Sequence, residues 1–127
     1  MTGFPHIRPR RLRSTAAIRS LVRETEVSPS QLVQPLFYKE GLTAPQPVAA
    51  MPGVAQLDLA SLRAEATRAV AAGVGGLMLF AVPARRDPVG SAALDPEGAL
   101  NVAVREVVAE VGAAAVVMSD LCLDEFT

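Results

Sequence analysis

Short unbroken apolar runs alternate along the chain with longer stretches in which apolar residues return every three or four positions. Three runs stand out: LVQPLFY at 32–38, GGLMLFAV at 75–82 and AAAVVMSDLC at 113–122. An unbroken run, rather than an alternating one, suits a strand covered on both faces. Pro35 interrupts the first run and places it where a missing N–H does no harm. Two helical patterns lie between the runs. One opens at Asp58 as N-cap, carries Leu59, Leu62, Ala66, Ala69 and Val70 as its stripe, and stops at Gly73. The other reads Asp95-Pro96-Glu97 as cap, first-turn proline and N-terminal acid. Its stripe is Leu100, Ala103, Val104, Val107, Val108 and Val111, and Gly112 ends it. MPGVAQL at 51–57 predicts a short extended piece over a turn. Further upstream, Ser14 or Thr15 caps a helix of about ten residues whose face is only Ile18, Leu21 and Val22, too small to stand without docking on something. Ser28-Pro29 then restarts the chain as cap plus first-turn proline.

The order is arm, strand, helix, strand, helix, strand. A βαβαβ order implies parallel strands, which either a doubly wound sheet or a (β/α)₈ barrel provides. The doubly wound sheet usually carries a glycine-rich phosphate loop after its first strand. Residues 39–56, KEGLTAPQPVAAMPGVAQ, hold neither GxGxxG nor GxxxxGK[ST], so the barrel leads. A whole barrel takes roughly 250 residues. The predicted class is therefore α/β: an N-terminal arm plus the first three βα units of a (β/α)₈ TIM barrel, incomplete. Residues 1–30 read as arm and short helix for oligomer contacts, and 31–127 as the front of the barrel.

Charge sharpens this division. The chain carries −1 overall. Up to Ser30, six arginines face Glu24 and Glu26 for +4, and the remainder carries −5. The cluster RPRRLR at 8–13 could meet nucleic acid. It has no interleaved aromatics and an acidic body behind it, so a solvated or subunit-clasping tail is preferred. A single cysteine excludes an internal disulfide and suits a reducing, cytoplasmic compartment. No apolar run approaches the ~20 residues of a membrane span, and no apolar segment follows the N-terminal arginines as a secretory signal requires. The expected partners include neither nucleic acid nor membrane.

Candidate chemistry gathers at the end of the third run. Chemistry in parallel sheets and barrels sits at the carboxyl ends of strands. Here that end carries Asp120, Cys122 and Asp124 on alternate residues, which an extended chain presents on one face. Thiolate favours zinc and carboxylate favours magnesium, so the set does not choose a metal. The plainer reading is a free cysteine packing as a small hydrophobe beside two turn acids. His6, the only histidine, reads as a solvated arm residue. Lys39, the only lysine, could form a Schiff base, though a surface lysine beside Glu40 is the commoner case. The loop at 83–98, with Arg85, Arg86, Asp87 and Ser91, exceeds the usual two to six residues and reads as functional.

RPRRLR, LVRET, LVQPLFYKEG, MPGVAQL, LMLFAVP, GSAALDPEGA and SDLCLDEFT, in this order and covering 8–127, resemble the N-terminal portion of the porphobilinogen synthase (δ-aminolevulinic acid dehydratase) family. The resemblance implies a TIM-barrel lyase of haem and other tetrapyrrole biosynthesis, condensing two 5-aminolevulinate molecules to porphobilinogen and two waters. It also implies an arm that clasps a neighbour, usually in a homo-octamer. Two Schiff-base lysines carry that chemistry in later strands, beyond Thr127, and Lys39 matches neither. A chain lacking them should be inactive alone. Zinc-dependent members read D-x-C-x-C where this chain has Asp120 to Asp124. Cys122 matches the first cysteine, Asp124 replaces the second, and Asp120 matches an acid near the active site with a supporting role. Zinc and magnesium both stay open. The alternatives are a non-catalytic short chain that joins full-length subunits through its arm, and an independent domain whose basic arm binds nucleic acid.

Overall fold

The structure, a computed structural model, describes Gly3, His6, Ile7 and residues 10–127. Part of the predicted arm, including Pro5, Arg8 and Pro9, lies outside the described residues. Five strands form one sheet in the order β2-β3-β1-β4-β5. They are β1 (Val33–Lys39), β2 (Gln46–Pro47), β3 (Ala55–Leu57), β4 (Gly76–Val82) and β5 (Val116–Ser119). The helices are α1 (Ala16–Leu21), α2 (Leu59–Ala71) and α3 (Ala99–Val111).

The winding decides between the two candidate folds. β1, β4 and β5 are parallel and adjacent in that order, with the short β2 and β3 on the outer side of β1. The connecting helices α2 and α3 pack on the same face of the sheet, in one core with Leu36, Tyr38, Leu77, Leu79 and Ala81. A doubly wound sheet reverses direction and covers both faces with helices. Sequential strands with all crossovers on one side are the winding of a barrel wall. The incomplete α/β barrel predicted from the sequence therefore holds for the described residues.

Period-2 alternation supplies the two faces. On the helix side Leu77 and Leu79 are fully buried against Leu62, Ala66, Ala103 and Val107. Complete burial contributes about 1.5–3 kcal/mol per leucine. On the other side stand Phe37, Met78, Phe80 and Met118 in matched register, with Phe37 and Phe80 stacked at 5.2 Å between ring centroids. No described helix covers that face. Arg63 and Glu106 (2.7 Å) and Thr67 and Glu110 (2.9 Å) link α2 to α3. The ion pair is half exposed and worth at most about 1 kcal/mol, so it aligns the helices more than it holds them.

Several boundaries differ from the sequence reading. The upstream helix α1 is six residues, not ten, although Thr15 caps it as expected by accepting the Ile18 N–H at 3.2 Å. Asp95 does not cap α3. Its carboxylate accepts the Glu97 N–H instead, and the N-cap is Gly98. The Asp-Pro-Glu segment thus forms its own turn before the helix begins. The third strand covers Val116–Ser119, because 112–114 coil into a 3₁₀ turn and the ladder ends at the other side. The extended piece within 51–57 is β3, and it joins the sheet beside β1 in parallel at Phe37 and Tyr38.

Asp58 caps α2 as predicted. Its Oδ1 accepts from the Ala60 and Ser61 N–H groups (3.0 and 3.1 Å), and its Oδ2 from the Ser61 hydroxyl (2.6 Å). The Ser61 hydroxyl, then the backbone bonds, hold this carboxyl below its ordinary 3.8. Folding thus favours the charged form, so the cap contributes fully above pH 4 and is lost as pH falls through the lowered folded value. Asp58→Ala should speed hydrogen exchange of the Ala60 and Ser61 amides on the order of fivefold at pH 7. The difference between variant and parent should vanish as pH falls through that range, and equal exchange at pH 7 would contradict the cap.

Candidate functional site at the carboxyl end of the sheet

Parallel strands bring their carboxyl ends together, here Lys39, Leu57, Val82 and Ser119. The segments leaving the strands build this end. After β1, Glu40 reaches across to the loop, and its Oε2 accepts the Ala84 N–H at 2.8 Å. Lys39 donates to Gln46 Oε1 at 3.2 Å, so its ammonium is engaged by the β2 edge. Tyr38, buried beside them, has its phenol raised above its ordinary value, first by burial and then by Glu40 and Asp58.

The loop at 83–98 folds around Asp87. Its carboxylate accepts from the Val89 and Ser91 N–H groups, both at 3.0 Å, and from the Ser91 hydroxyl. The Ser91 hydroxyl is the main reason this carboxyl sits below its ordinary value. Gly90 takes a left-handed conformation (φ 62°) within the loop. A cavity of about 350 Å³ opens between the loop and the end of β1, lined by Glu40, Pro83, Arg85, Arg86, Asp87 and Asp95 among others.

β5 hands over to the candidate residues. Asp120 extends the ladder by one bond, its N–H donating to Leu79 O at 3.1 Å, and is half-buried. Two residues past Met118, it holds a register position on the bare face. Asp120 Oδ1 accepts the Cys122 N–H at 3.3 Å, and the chain turns at 124–126. The ladder that would hold Asp120, Cys122 and Asp124 on one face ends at Asp120, and Asp124 lies in the turn. Cys122 and Asp124 are exposed. Among the described residues, no three His, Cys, Asp or Glu side chains come together as a metal shell. Two donors do not make a tetrahedral zinc site, so any ion held by Cys122 and Asp124 takes its other ligands from outside this set.

Asp87 and Ser91 were named in the loop without their pairing, and Phe126 went unnoticed. The pairing had a signal: DPVGS puts an aspartate before proline and glycine with a serine four residues on, a pattern for side-chain-to-backbone turns. Phe126 had none beyond being one of four phenylalanines.

The winding and the strand-end loops are those of part of a (β/α)₈ barrel wall. The family model for delta-aminolevulinic acid dehydratase matches residues 6–127, and the chain belongs to that family. Delta-aminolevulinic acid dehydratase of Mycobacterium tuberculosis is 54% identical over 129 aligned residues, covering 100% of this chain and 39% of the relative. That of Streptomyces coelicolor is 52% identical, covering 98% and 38%. The crystal structure of delta-aminolevulinic acid dehydratase (porphobilinogen synthase) from Toxoplasma gondii, in complex with the reaction product porphobilinogen, superposes with a TM-score of 0.81 at 30% identity, over 95% of this chain and 34% of that one. The chain spans less than two-fifths of the length of these relatives.

Proposed function

We propose that this chain forms the front of a porphobilinogen synthase subunit, which condenses two 5-aminolevulinate molecules to porphobilinogen with loss of two waters. The supporting observation is the family match across 6–127, joined to a barrel-type winding that sets 120–127 at the strand ends. In this reading Asp120 supports the reacting centre from the end of β5. Cys122 and Asp124 offer two donors to a zinc or magnesium ion, and the electrophilic chemistry belongs to lysines outside the 127 residues. Residues 1–30 reach a neighbouring subunit of a homo-octamer. A cytoplasmic setting keeps the exposed Cys122 thiol reduced.

The test is a completed subunit: this chain fused at Thr127 to the part of the Mycobacterium tuberculosis relative that lies beyond its matched region. The completed subunit should form porphobilinogen from 5-aminolevulinate, and the 127-residue chain should not. A soluble, folded completed subunit without turnover would overturn the proposal. Should the short chain instead lower the activity of co-expressed completed subunits, the non-catalytic joining role gains the support.

A further inference from the structure

We propose that Phe126 is a positioning residue, clamping the segment that carries Asp120, Cys122 and Asp124 to the loop at 83–98. The proposal rests on the proposed function, in which this end of the sheet is the reacting end.

Phe126 is 2% exposed and the largest fully buried side chain among the described residues. It nevertheless stands apart from the core shared by the sheet, α2 and α3. Its backbone meets the loop: Phe126 O accepts the Asp87 N–H at 3.2 Å. Gly90 completes the seat: a Cβ there would lie 3.5 Å from Phe126 Cβ and 3.4 Å from Thr127 Cγ2. The receiving side is itself fixed by the bonds from Val89 and Ser91 to the Asp87 carboxylate.

The segment thus spans two anchors. One is the last ladder bond, Asp120 N–H to Leu79 O, and the other is Phe126 in the loop. Between them Cys122 is exposed and Leu121 is 94% exposed, so side-chain packing of these two residues does not fix the path. Removing the aromatic ring deletes one anchor and leaves the main core untouched. The candidate residues should then lose their placement while the sheet persists. An error of about 1 Å in placing reacting groups can cost on the order of a hundredfold in rate.

The experiment uses the completed subunit with Phe126→Ala, Phe126→Val and Phe126→Leu. Peptide-resolved hydrogen exchange should accelerate roughly tenfold in 87–98 and 120–127 of the alanine variant, with peptides from α2 and β1 unchanged. Its kcat should fall between about tenfold and a hundredfold at a KM within about twofold, and Phe126→Leu should recover most of both effects. If Phe126→Ala does not accumulate, Phe126→Val carries the same readouts with smaller changes. Acceleration that spreads through α2 and β1 would reduce Phe126 to general stability and overturn the proposal. Unchanged loop exchange and kcat would do the same. An inert parent subunit would overturn the functional reading and this proposal together, whereas an active parent with an unaffected variant overturns this proposal alone.

Discussion

Expressed by itself, the 127-residue chain should self-associate and bind a hydrophobic dye strongly, and both properties should disappear in the completed subunit. The cause is the face that no described helix covers. Phe37, Met78, Phe80 and Met118 stand on it in register, and at the amino-terminal ends of the strands Val33 is 50% and Val116 62% exposed. The sheet edges add to this. β5 is terminal in the sheet, and β3 covers only Phe37 and Tyr38 of β1, leaving the lower half of that strand open on one side. Unpaired edges next to exposed apolar surface recruit other chains. In a closed barrel the same residues face the filled interior and the edges are paired. Sedimentation of the chain at rising concentration, with dye fluorescence alongside, checks the expectation. A monomer with a sharp cooperative melt and no dye binding would show that the bare face is compatible with a stable isolated unit.

The winding was legible because its determinants are local. Leu77, Leu79 and Ala81 belong to an unbroken run, and Leu62, Ala66 and Ala69 to a 3.6-residue stripe, so strand and helix could be told apart by period. Asp58, Gly73 and Gly112 worked as stop and start signals for the same reason: each acts on the backbone within a few residues. β3 was harder. Three residues, Ala55–Leu57, make no periodic pattern, and only their pairing with Phe37 and Tyr38 on one side and Gln46 and Pro47 on the other makes them a strand. The α3 cap misled because Asp-Pro-Glu satisfies the cap rule and the turn rule equally, and the tertiary seat of Gly98 decided between them: a Cβ there would meet Ala92 O at 2.4 Å. At the site, Asp120 was placed correctly at the strand end, since strand direction fixes which end faces the loops. The predicted one-face array of Asp120, Cys122 and Asp124 assumed an extended chain. The ladder stops at Asp120 and the chain turns at 124–126, so the sheet does not hold that array. Phe126 was invisible because its partners lie some 36 to 39 residues away, at Asp87 and Gly90.

Replacing Gly75 by alanine in the completed subunit should abolish most soluble accumulation, with a loss of at least about 3 kcal/mol in whatever protein remains. Gly75 lies where the connection from α2 enters β4, directly under the 3₁₀ turn Pro29–Gln31 that feeds β1. A Cβ on it would stand 2.0 Å from Ser30 O and 2.9 Å from Ser30 C. Both are backbone atoms, so no side-chain rotation can make room. The turn cannot lift away cheaply either. Gln31 N–H bonds Ser28 O (3.0 Å), Leu32 N–H bonds Pro29 O (3.0 Å), and Gly76 N–H bonds Leu32 O (3.2 Å). On the other side Gly75 O accepts the Val116 N–H at 3.0 Å, tying the same point to β5. Three strands of the barrel wall thus register on one glycine, and a single methyl group has to break at least one of these bonds or shift a strand. Thermal unfolding of the variant beside the parent decides the matter. A Gly75→Ala midpoint within about 2 °C of the parent would mean that the Pro29–Gln31 turn does not press on β4, and that the strands take their register from packing alone.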